Sequence, residues 1–288
     1  MTKMQNLTMK PTQKLQLRLS EFLRQIIRRH LPTKLYSLAA RLVTDFTTLR
    51  YLGIPKAISF FKSRDKNLVV TISLPKSLNS VSLRGGTSDI LCFENCIARH
   101  IYSCYQPTHE PQVIIDAGAN IGASAVWFLM HYPIANLIAL EPDINNFNLC
   151  QKNLAAFGSR VIIQQAALWS SRTELQVQNP NAAPDSLCYS QTARSSKQSI
   201  SAHSMSDLMI SHKLDRIDIF KCDVEGAEIE IFGDPNVDDW VQNIQAILIE
   251  LHSPKAHKIV GAVMNRNFFR HEQYREVHIF TNPRQVRD

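Results

Sequence analysis

Four segments of the sequence place residues that could do chemistry directly after runs of apolar residues. In the first, residues 113–128, the apolar run ends in Asp116 and a turn with two glycines follows. Glycine lets a backbone turn sharply and approach a ligand closely. The segment predicts a small-molecule binding loop, although a plain strand-to-helix turn could have the same composition. The residues expected to contact the ligand are Asp116, Gly118, Asn120 and Gly122.

The second segment, residues 137–147, ends its apolar run at Glu141, which lies 25 residues after Asp116. In a nucleotide-binding α/β unit, a carboxylate at this position accepts hydrogen bonds from both ribose hydroxyls. Pro142 suits the first turn of a following helix. The alternative is that Glu141 is an acidic residue at a helix start, where the helix dipole stabilises it.

The two segments together discriminate between nucleotide ligands. Loops that bind dinucleotides usually read GxGxxG and hold a pyrophosphate at the helix N-terminus. Here Asp116 would repel a diphosphate, but its carboxylate could hold a cationic amino acid group. This favours S-adenosylmethionine, which carries an ammonium and a sulfonium, over a nicotinamide dinucleotide.

The third and fourth segments, residues 217–232 and 247–253, end their apolar runs beside acidic and basic side chains. The crevice at the carboxyl ends of parallel strands is where ligands bind in open α/β sheets. We therefore expect Lys221, Asp223 and Glu225 beside the cofactor. His252 is the first choice for a general base, because the ordinary pKa of histidine lies near neutrality. Alternatively, His252 is a hydrogen-bonded polar residue at a strand end.

The acidic residues of these two segments could also hold a metal ion. Asp223, Glu225 and Glu250 are three carboxylates that could meet at one point and bind Mg²⁺. The spacing alone does not show such a site, because charged strand ends serve other roles. We expect no metal, and therefore activity that survives a chelator.

The elements that would position these residues alternate between strand and helix. This pattern predicts an α/β fold with a doubly wound, mostly parallel sheet. A polar stretch over 178–200 predicts an exposed loop. The expected strands are 113–116, 137–141, 161–165, 217–222, 244–251 and 276–280, and the expected helices are 123–131 and 144–157.

The charge is distributed unevenly along the 288 residues. Residues 1–62 carry 12 Lys/Arg and 2 Asp/Glu, a net of +10, whereas residues 63–288 carry 20 and 23, a net of −3. The basic segment could contact anionic lipid, nucleic acid or an acidic partner, or it could be a solvated face. The sequence shows no secretory signal and no long apolar run, so we expect a cytoplasmic protein.

The N-terminal part is expected to be helical and then to form a small hairpin. Residues 14–31 form a basic amphipathic pattern that could pack on the main domain or lie on a membrane surface. A second helix is expected over about 33–50, a small hairpin or two edge strands over 67–84 and a helix over 89–105. We predict a helical extension at 1–63, a hairpin and helix forming a cap or substrate region at 64–106, and a cofactor domain at 107–288.

These motifs together resemble the FkbM family of S-adenosylmethionine-dependent methyltransferases. The resemblance rests on 116–122, 141–143, 221–228 and 249–252, taken in that order, and extends to 83–89. It covers about residues 80–280. It implies a class I, Rossmann-like methyltransferase fold and O-methylation of a hydroxyl on a sugar or natural product, with S-adenosylhomocysteine as the second product.

The resemblance also implies roles for individual residues. Asp143 or a neighbour would flank the adenine, and Ala166 and Ala167 would form part of the adenine slot. Asp223 and Glu225 would line the reaction centre. Two other functions stay open, a nucleic-acid methyltransferase and a cofactor-binding module without turnover. The slightly acidic cofactor domain speaks against the first, and the intact acidic residues at the strand ends speak against the second. The sequence does not indicate the oligomeric state.

Overall fold

A computed structural model describes residues 32–64, 68–75, 77, 79–179, 187–191 and 199–285. The predicted helix at 14–31 lies outside these residues. The chain divides into two compact units. The first comprises residues up to 86 together with 90–106, and the second comprises 87–89 together with the rest of the chain from 107. The described residues on both sides of position 63 belong to the first unit.

The first unit begins with two helices and a hairpin. Helix α1 ends at Gly53, whose positive φ of 75° separates it from α2. Strands β1 and β2 pair antiparallel, as the sequence predicted. The elements are α1 Thr33–Leu52, α2 Ile54–Ser63, β1 Val69–Ser73, β2 Ser80–Arg84 and α3 Asp89–Phe93.

The continuous helix predicted over 89–105 is wrong. Helix α3 leads into a π-helical turn at Glu94–Ala98, and a short 3-10 turn follows at Ile101–Cys104. His100 separates the two turns with a left-handed backbone (φ 51°), which a helix cannot include.

A buried carboxylate holds the first unit together. Glu94 is almost fully buried and forms ion pairs with Arg64 and, at 3.5 Å, with Arg41. Arg64 also contacts Asp45 at 2.6 Å. A buried charge is tolerated only when it is paired, so these contacts fix α1 and α2 against the π-helical turn. The rings of Phe60 and Phe93 pack beside them at 5.0 Å.

The second unit contains the predicted α/β sheet. Its order is β12-β13-β11-β10-β3-β4-β5, and the five strands from β11 to β5 are parallel. Strand β13 is antiparallel to β11. The fold is therefore the Rossmann-like arrangement that the sequence predicted. The strands are β3 Val113–Ala117, β4 Asn136–Leu140, β5 Val161–Gln164, β10 Ile217–Cys222, β11 Ile244–Glu250, β12 Arg270–Tyr274 and β13 Val277–Thr281.

Helices connect these strands, and a second sheet follows β5. The polar stretch predicted as a loop over 178–200 contains strand β8, so that prediction is wrong in part. The small sheet has the order β6-β9-β7-β8. Its strands are β6 Ala167–Leu168, β7 Thr173–Val177, β8 Tyr189–Gln191 and β9 Ile200–His203. The helices are α4 Ala123–His131, α5 Ile144–Leu154, α6 Met205–Ser211, α7 Glu228–Phe232, α8 Val237–Val241 and α9 Pro254–Arg266.

Within the part of the chain that the structure describes, no helix is long and apolar enough to cross a membrane.

Candidate active site

The loop after β3 is built on a buried ion pair. Asp116 is fully buried, accepts a hydrogen bond from Ser124 Oγ (2.6 Å) and lies 3.2 Å from Lys221 Nζ. Its carboxylate therefore faces Lys221 and Ser124. A direct contact between Asp116 and the cofactor stays a prediction.

Lys221 connects β10 to the loop. Its ammonium group is buried, donates to the backbone oxygen of Gly118 (2.6 Å) and lies 3.7 Å from Asp223. The lysine charge thus offsets two acidic residues, Asp116 near the end of β3 and Asp223 directly after β10. Strands β3 and β10 pair with Lys221 opposite Asp116, which explains why these side chains meet.

Gly118 is required because the loop passes close to the chain after β10. A Cβ atom at this position would lie 1.8 Å from the backbone oxygen of Asp223. Its φ of 74° is also left-handed, a region that glycine adopts without strain. The turn ends at Gly122, which precedes α4 with a φ of 80°. The predicted binding loop therefore lies directly beside Asp223.

Glu141 follows β4 and faces the same loop. Its buried carboxylate accepts hydrogen bonds from the backbone N–H groups of Asn120 (2.7 Å) and Asp143 (2.9 Å). Burial raises the pKa of Glu141 to about 7, although these hydrogen bonds act in the opposite direction. Each carboxylate oxygen has two lone pairs, so acceptor capacity remains for ribose hydroxyls.

The other residues predicted to line the adenosine pocket have visible structural roles. Asp143 caps α5 by accepting from the N–H groups of Asn145 and Asn146. Ala166 and Ala167 are buried in two neighbouring apolar clusters. None of these placements tests a contact with adenine, so those roles stay predictions.

Sequence reasoning missed Tyr189, which lies on β8. Its pKa is raised by burial first and then by the negative charges of Glu141 and Asp143. The phenol therefore lies near the carboxylate expected to bind the ribose. Tyr189 stands in a polar stretch without apolar periodicity, and no signal in the sequence could have identified it.

His252 gathers three acidic side chains around its imidazole ring. Its Nδ1 atom contacts Glu228 Oε1 at 2.6 Å, and its Nε2 atom lies 3.6 Å from Asp223 and 3.5 Å from Glu225. Glu228 is fully buried at the start of α7, whereas the other three side chains are partly open to solvent. The three predicted catalytic residues therefore do lie together, and Glu228 joins them.

The pKa of His252 departs from the value expected at the sequence level. The hydrogen bond with Glu228 raises this pKa to about 9, burial opposes the shift, and the charges of Glu225, Glu228 and Asp223 add to it. His252 is therefore an imidazolium ion at neutral pH. The argument for His252 from an ordinary pKa was wrong, because it could not include the buried carboxylate on Nδ1.

The same region contains Glu250 and the side chains that could bind a metal ion. Burial raises the pKa of Glu250 to about 7, and the charge of Asp223 adds to the shift. Among the residues that the structure describes, the side chains whose ligand atoms lie within 4.8 Å of one another are those of Asp223, Glu225 and His252, and Glu250 of the trio considered in the sequence is not one of them. This trio could hold a cation if His252 lost its proton.

The fold and this site define a class of protein. A Rossmann-like sheet, a glycine loop after β3, an acidic residue after β4 and a polar cluster after β10 and β11 are the features of a class I methyltransferase. The sequence profile of the FkbM methyltransferase domain matches residues 116–276, more than half of the chain. The chain belongs to the FkbM methyltransferase family and is an S-adenosylmethionine-dependent methyltransferase.

The chain is similar to two proteins that are named as methyltransferases, and a solved methyltransferase structure is among its structural neighbours. The methyltransferase sdnD of Sordaria araneosa is 26% identical over 185 residues, which cover 52% of this chain and 71% of that protein. Methyltransferase 1 of Beauveria bassiana is 26% identical over 178 residues, which cover 54% and 71%. The precorrin-6y C5,15-methyltransferase of Geobacter metallireducens shares 13% identity at a TM-score of 0.36 and covers 59% of this chain and 79% of that one.

The residues present fit the cofactor of this class. Glu141 is a buried acceptor at the end of β4, and Asn120 and Gly118 shape the neighbouring turn. Lys221 pairs with Asp116 and donates to the backbone oxygen of Gly118, so the buried ion pair supports the turn of the loop.

Proposed function

We propose that this methyltransferase acts on a hydroxyl group of a sugar or small natural product. The proposal rests on one observation. The cluster of His252, Glu228, Asp223 and Glu225 lies directly beside the loop at 116–122, which is expected to bind the cofactor. Asp223 links the two parts, because its side chain faces His252 and its backbone oxygen touches the Gly118 turn. An acceptor bound there would lie next to groups that can accept a proton.

The cofactor supplies a methyl group already activated by its sulfonium, so the protein mainly orients the acceptor and excludes water. We propose that Glu141 holds the ribose hydroxyls and that the turn at Gly118 holds the amino acid end. Asp116 keeps Lys221 in place, and Lys221 fixes the carbonyl of Gly118. These contacts orient the donor towards the end of β10.

His252 takes the acceptor's proton in this proposal. Glu228 binds Nδ1–H, so the imidazole can present only Nε2 to the acceptor. The same contact makes His252 a stronger base. In most molecules, however, His252 is already protonated at neutral pH and cannot accept a proton. Asp223 and Glu225 stabilise the imidazolium ion that forms when the methyl group is transferred.

Calorimetric titration of S-adenosylmethionine tests the first part. We expect micromolar binding to the wild type and at least tenfold weaker binding, about 1.4 kcal/mol, to Glu141→Ala. The matched control is Asp215→Ala, which removes an exposed carboxylate before β10. Because the pKa of Glu141 is about 7, affinity should fall as the pH is lowered from 8 to 6 and its carboxylate is protonated. Equal affinity of wild type and Glu141→Ala would remove the ribose role.

Formation of S-adenosylhomocysteine with a panel of hydroxyl compounds tests the second part. His252→Ala should lower transfer by about 10²–10⁴-fold, the usual worth of a general base, and leave cofactor affinity unchanged. Chelator should leave turnover intact, and a loss that Mg²⁺ restores would show that Asp223, Glu225 and His252 hold a metal. Cofactor binding without turnover on any acceptor would favour a non-catalytic module. The expected cytoplasmic location also stays a prediction.

A further inference from the structure

Helices α1 and α2 expose seven large apolar side chains, five of them on α1, which are together called the apolar stripe. On α1 the stripe residues recur every three or four positions, which places them on one side of the helix. Their exposed fractions lie between 46% and 66%. The residues of the stripe are Leu35, Leu38, Leu42, Val43 and Phe46 on α1 and Ile54 and Ile58 on α2. Scattered exposed apolar residues are normal, but a contiguous group of this size marks an interaction surface.

The charge of this helix pair is strongly positive. Residues 32–64 contain six Lys/Arg and a single acidic residue, Asp45. Asp45 is already neutralised by Arg64 (2.6 Å) and Arg41 (3.2 Å). Lys34 and Arg50 are exposed on α1. When about 100° is allowed per residue, Lys34 lies beside the stripe and Arg50 lies within its span, one turn after Phe46. The surface around the stripe therefore has no uncompensated negative charge among the residues described here.

The positive charge of α1 and α2 favours some binding partners of the apolar stripe over others. A second copy would bring an equally basic face against this one, and like charges across an interface are unfavourable. Residues 1–31 carry seven Lys/Arg and one acidic residue, so they too would bring like charge. Nucleic acid would match the charge but would leave seven large apolar side chains without an apolar partner.

We propose that α1 and α2 bind the surface of an anionic lipid bilayer. The apolar stripe would enter the boundary between head groups and acyl chains, and Lys34, Arg50 and Lys62 would face the phosphates. Neither helix is long and apolar enough to span a membrane, so this is attachment in the plane of the surface. The inference does not rest on the identity of the methyl acceptor.

Co-sedimentation of the full chain with lipid vesicles tests this inference. Vesicles of phosphatidylcholine with about 30 mol% phosphatidylserine should bind the protein, and vesicles of phosphatidylcholine alone should not. The variant Leu42→Gln/Phe46→Gln should partition at least about tenfold more weakly, because glutamine keeps helix propensity but removes the apolar contact. The control Ile210→Gln changes an equally large residue that is 77% exposed on α6 and should bind like the wild type.

Further measurements decide between occupants. Lys34→Gln/Arg50→Gln should weaken binding to anionic vesicles, and salt above about 0.1 M should reproduce that loss. Cofactor affinity is measured on every variant, so that loss of fold and loss of lipid binding are separated. Equal partitioning of the stripe variant and the wild type would overturn the proposal. So would failure of the wild type to bind either vesicle, or a wild-type dimer that the stripe variant converts to monomer.

Discussion

At the residue scale, the site is defined by how charge is compensated. Asp116 and Lys221 form a buried ion pair that supports the loop, whereas His252 lies among the three carboxylates of Glu228, Asp223 and Glu225. The first arrangement supports a backbone turn. In the arrangement around His252, Nδ1–H is held by Glu228, and a proton taken from the acceptor would be held at Nε2. A single buried residue, Glu228, therefore decides what His252 can do.

Replacing Glu228 with glutamine should change the pH dependence of methyl transfer. In the wild type, transfer should rise about tenfold per pH unit up to about pH 9, because only neutral His252 accepts a proton. Glu228→Gln removes the charged partner that raises this pKa, so the inflection should move at least about one unit towards neutrality. Initial rates measured between pH 6 and 10 at saturating cofactor check this.

The control for this experiment lies on the same helix. Glu230→Gln changes an exposed carboxylate two residues further along α7 and should leave the profile unchanged. If Glu228 only supported the fold, its substitution would lower the rate equally at every pH. An inflection that stays at the wild-type position would therefore exclude Glu228 as the residue that tunes His252.

The sequence predicted which residues belong to the site better than it predicted which side chains contact one another there. Glu141 and His252 could be identified because each follows an apolar run, and parallel strands bring such positions to one edge. Glu228 stands in the same motif, but no spacing rule shows that it reaches His252 across 24 positions. A pKa depends on burial and neighbours in space, so the raised pKa of His252 was beyond prediction.

At the scale of elements, strands were predictable where they are buried on both faces. Strands β10 and β11 are buried along nearly their whole length, are mostly apolar, and were identified within a residue of their ends. Strand β12 was missed because its sequence does not alternate between polar and apolar residues. Four of its five residues are exposed. Edge strands of this kind carry little pattern, since solvent covers one side.

The turn between β3 and α4 allows a test at this scale. Gly118→Ala should destabilise the protein by more than about 4 kcal/mol, because a Cβ overlaps the backbone of Asp223 in addition to backbone strain. Gly158→Ala isolates the strain, since Gly158 also has a positive φ but nothing lies within 4 Å of its Cβ position. It should cost about 1–3 kcal/mol. Urea unfolding measures both.

Cofactor titration completes the comparison of the two glycine variants. Gly158 lies outside the loop, so Gly158→Ala should keep wild-type affinity for S-adenosylmethionine. Any Gly118→Ala protein that folds should bind the cofactor at least about tenfold more weakly, because the loop must move away from Asp223. Equal stability of the two variants would show that the loop does not need this close approach.

At the scale of the whole molecule, the basic residues and the acidic residues of the candidate site lie in different parts of the chain. The basic residues concentrate in the first 62 positions, and residues 63–288 have a net charge of −3. Four carboxylates, those of Asp223, Glu225, Glu228 and Glu250, lie at or beside the carboxyl ends of β10 and β11. We therefore expect a neutral or cationic acceptor rather than a polyanion.

Nucleic acid is therefore expected not to be methylated. Any RNA that the basic N-terminal residues attract should be held by charge alone, with an affinity that falls steeply as salt is raised. With tritium-labelled S-adenosylmethionine, label should enter small hydroxyl compounds but not RNA at any salt concentration that permits binding. Repulsion from the carboxylates around His252 would keep the phosphate backbone away from the site. Label that enters RNA, and that disappears with the same salt dependence as binding, would instead make RNA the acceptor and require those carboxylates to face away from it.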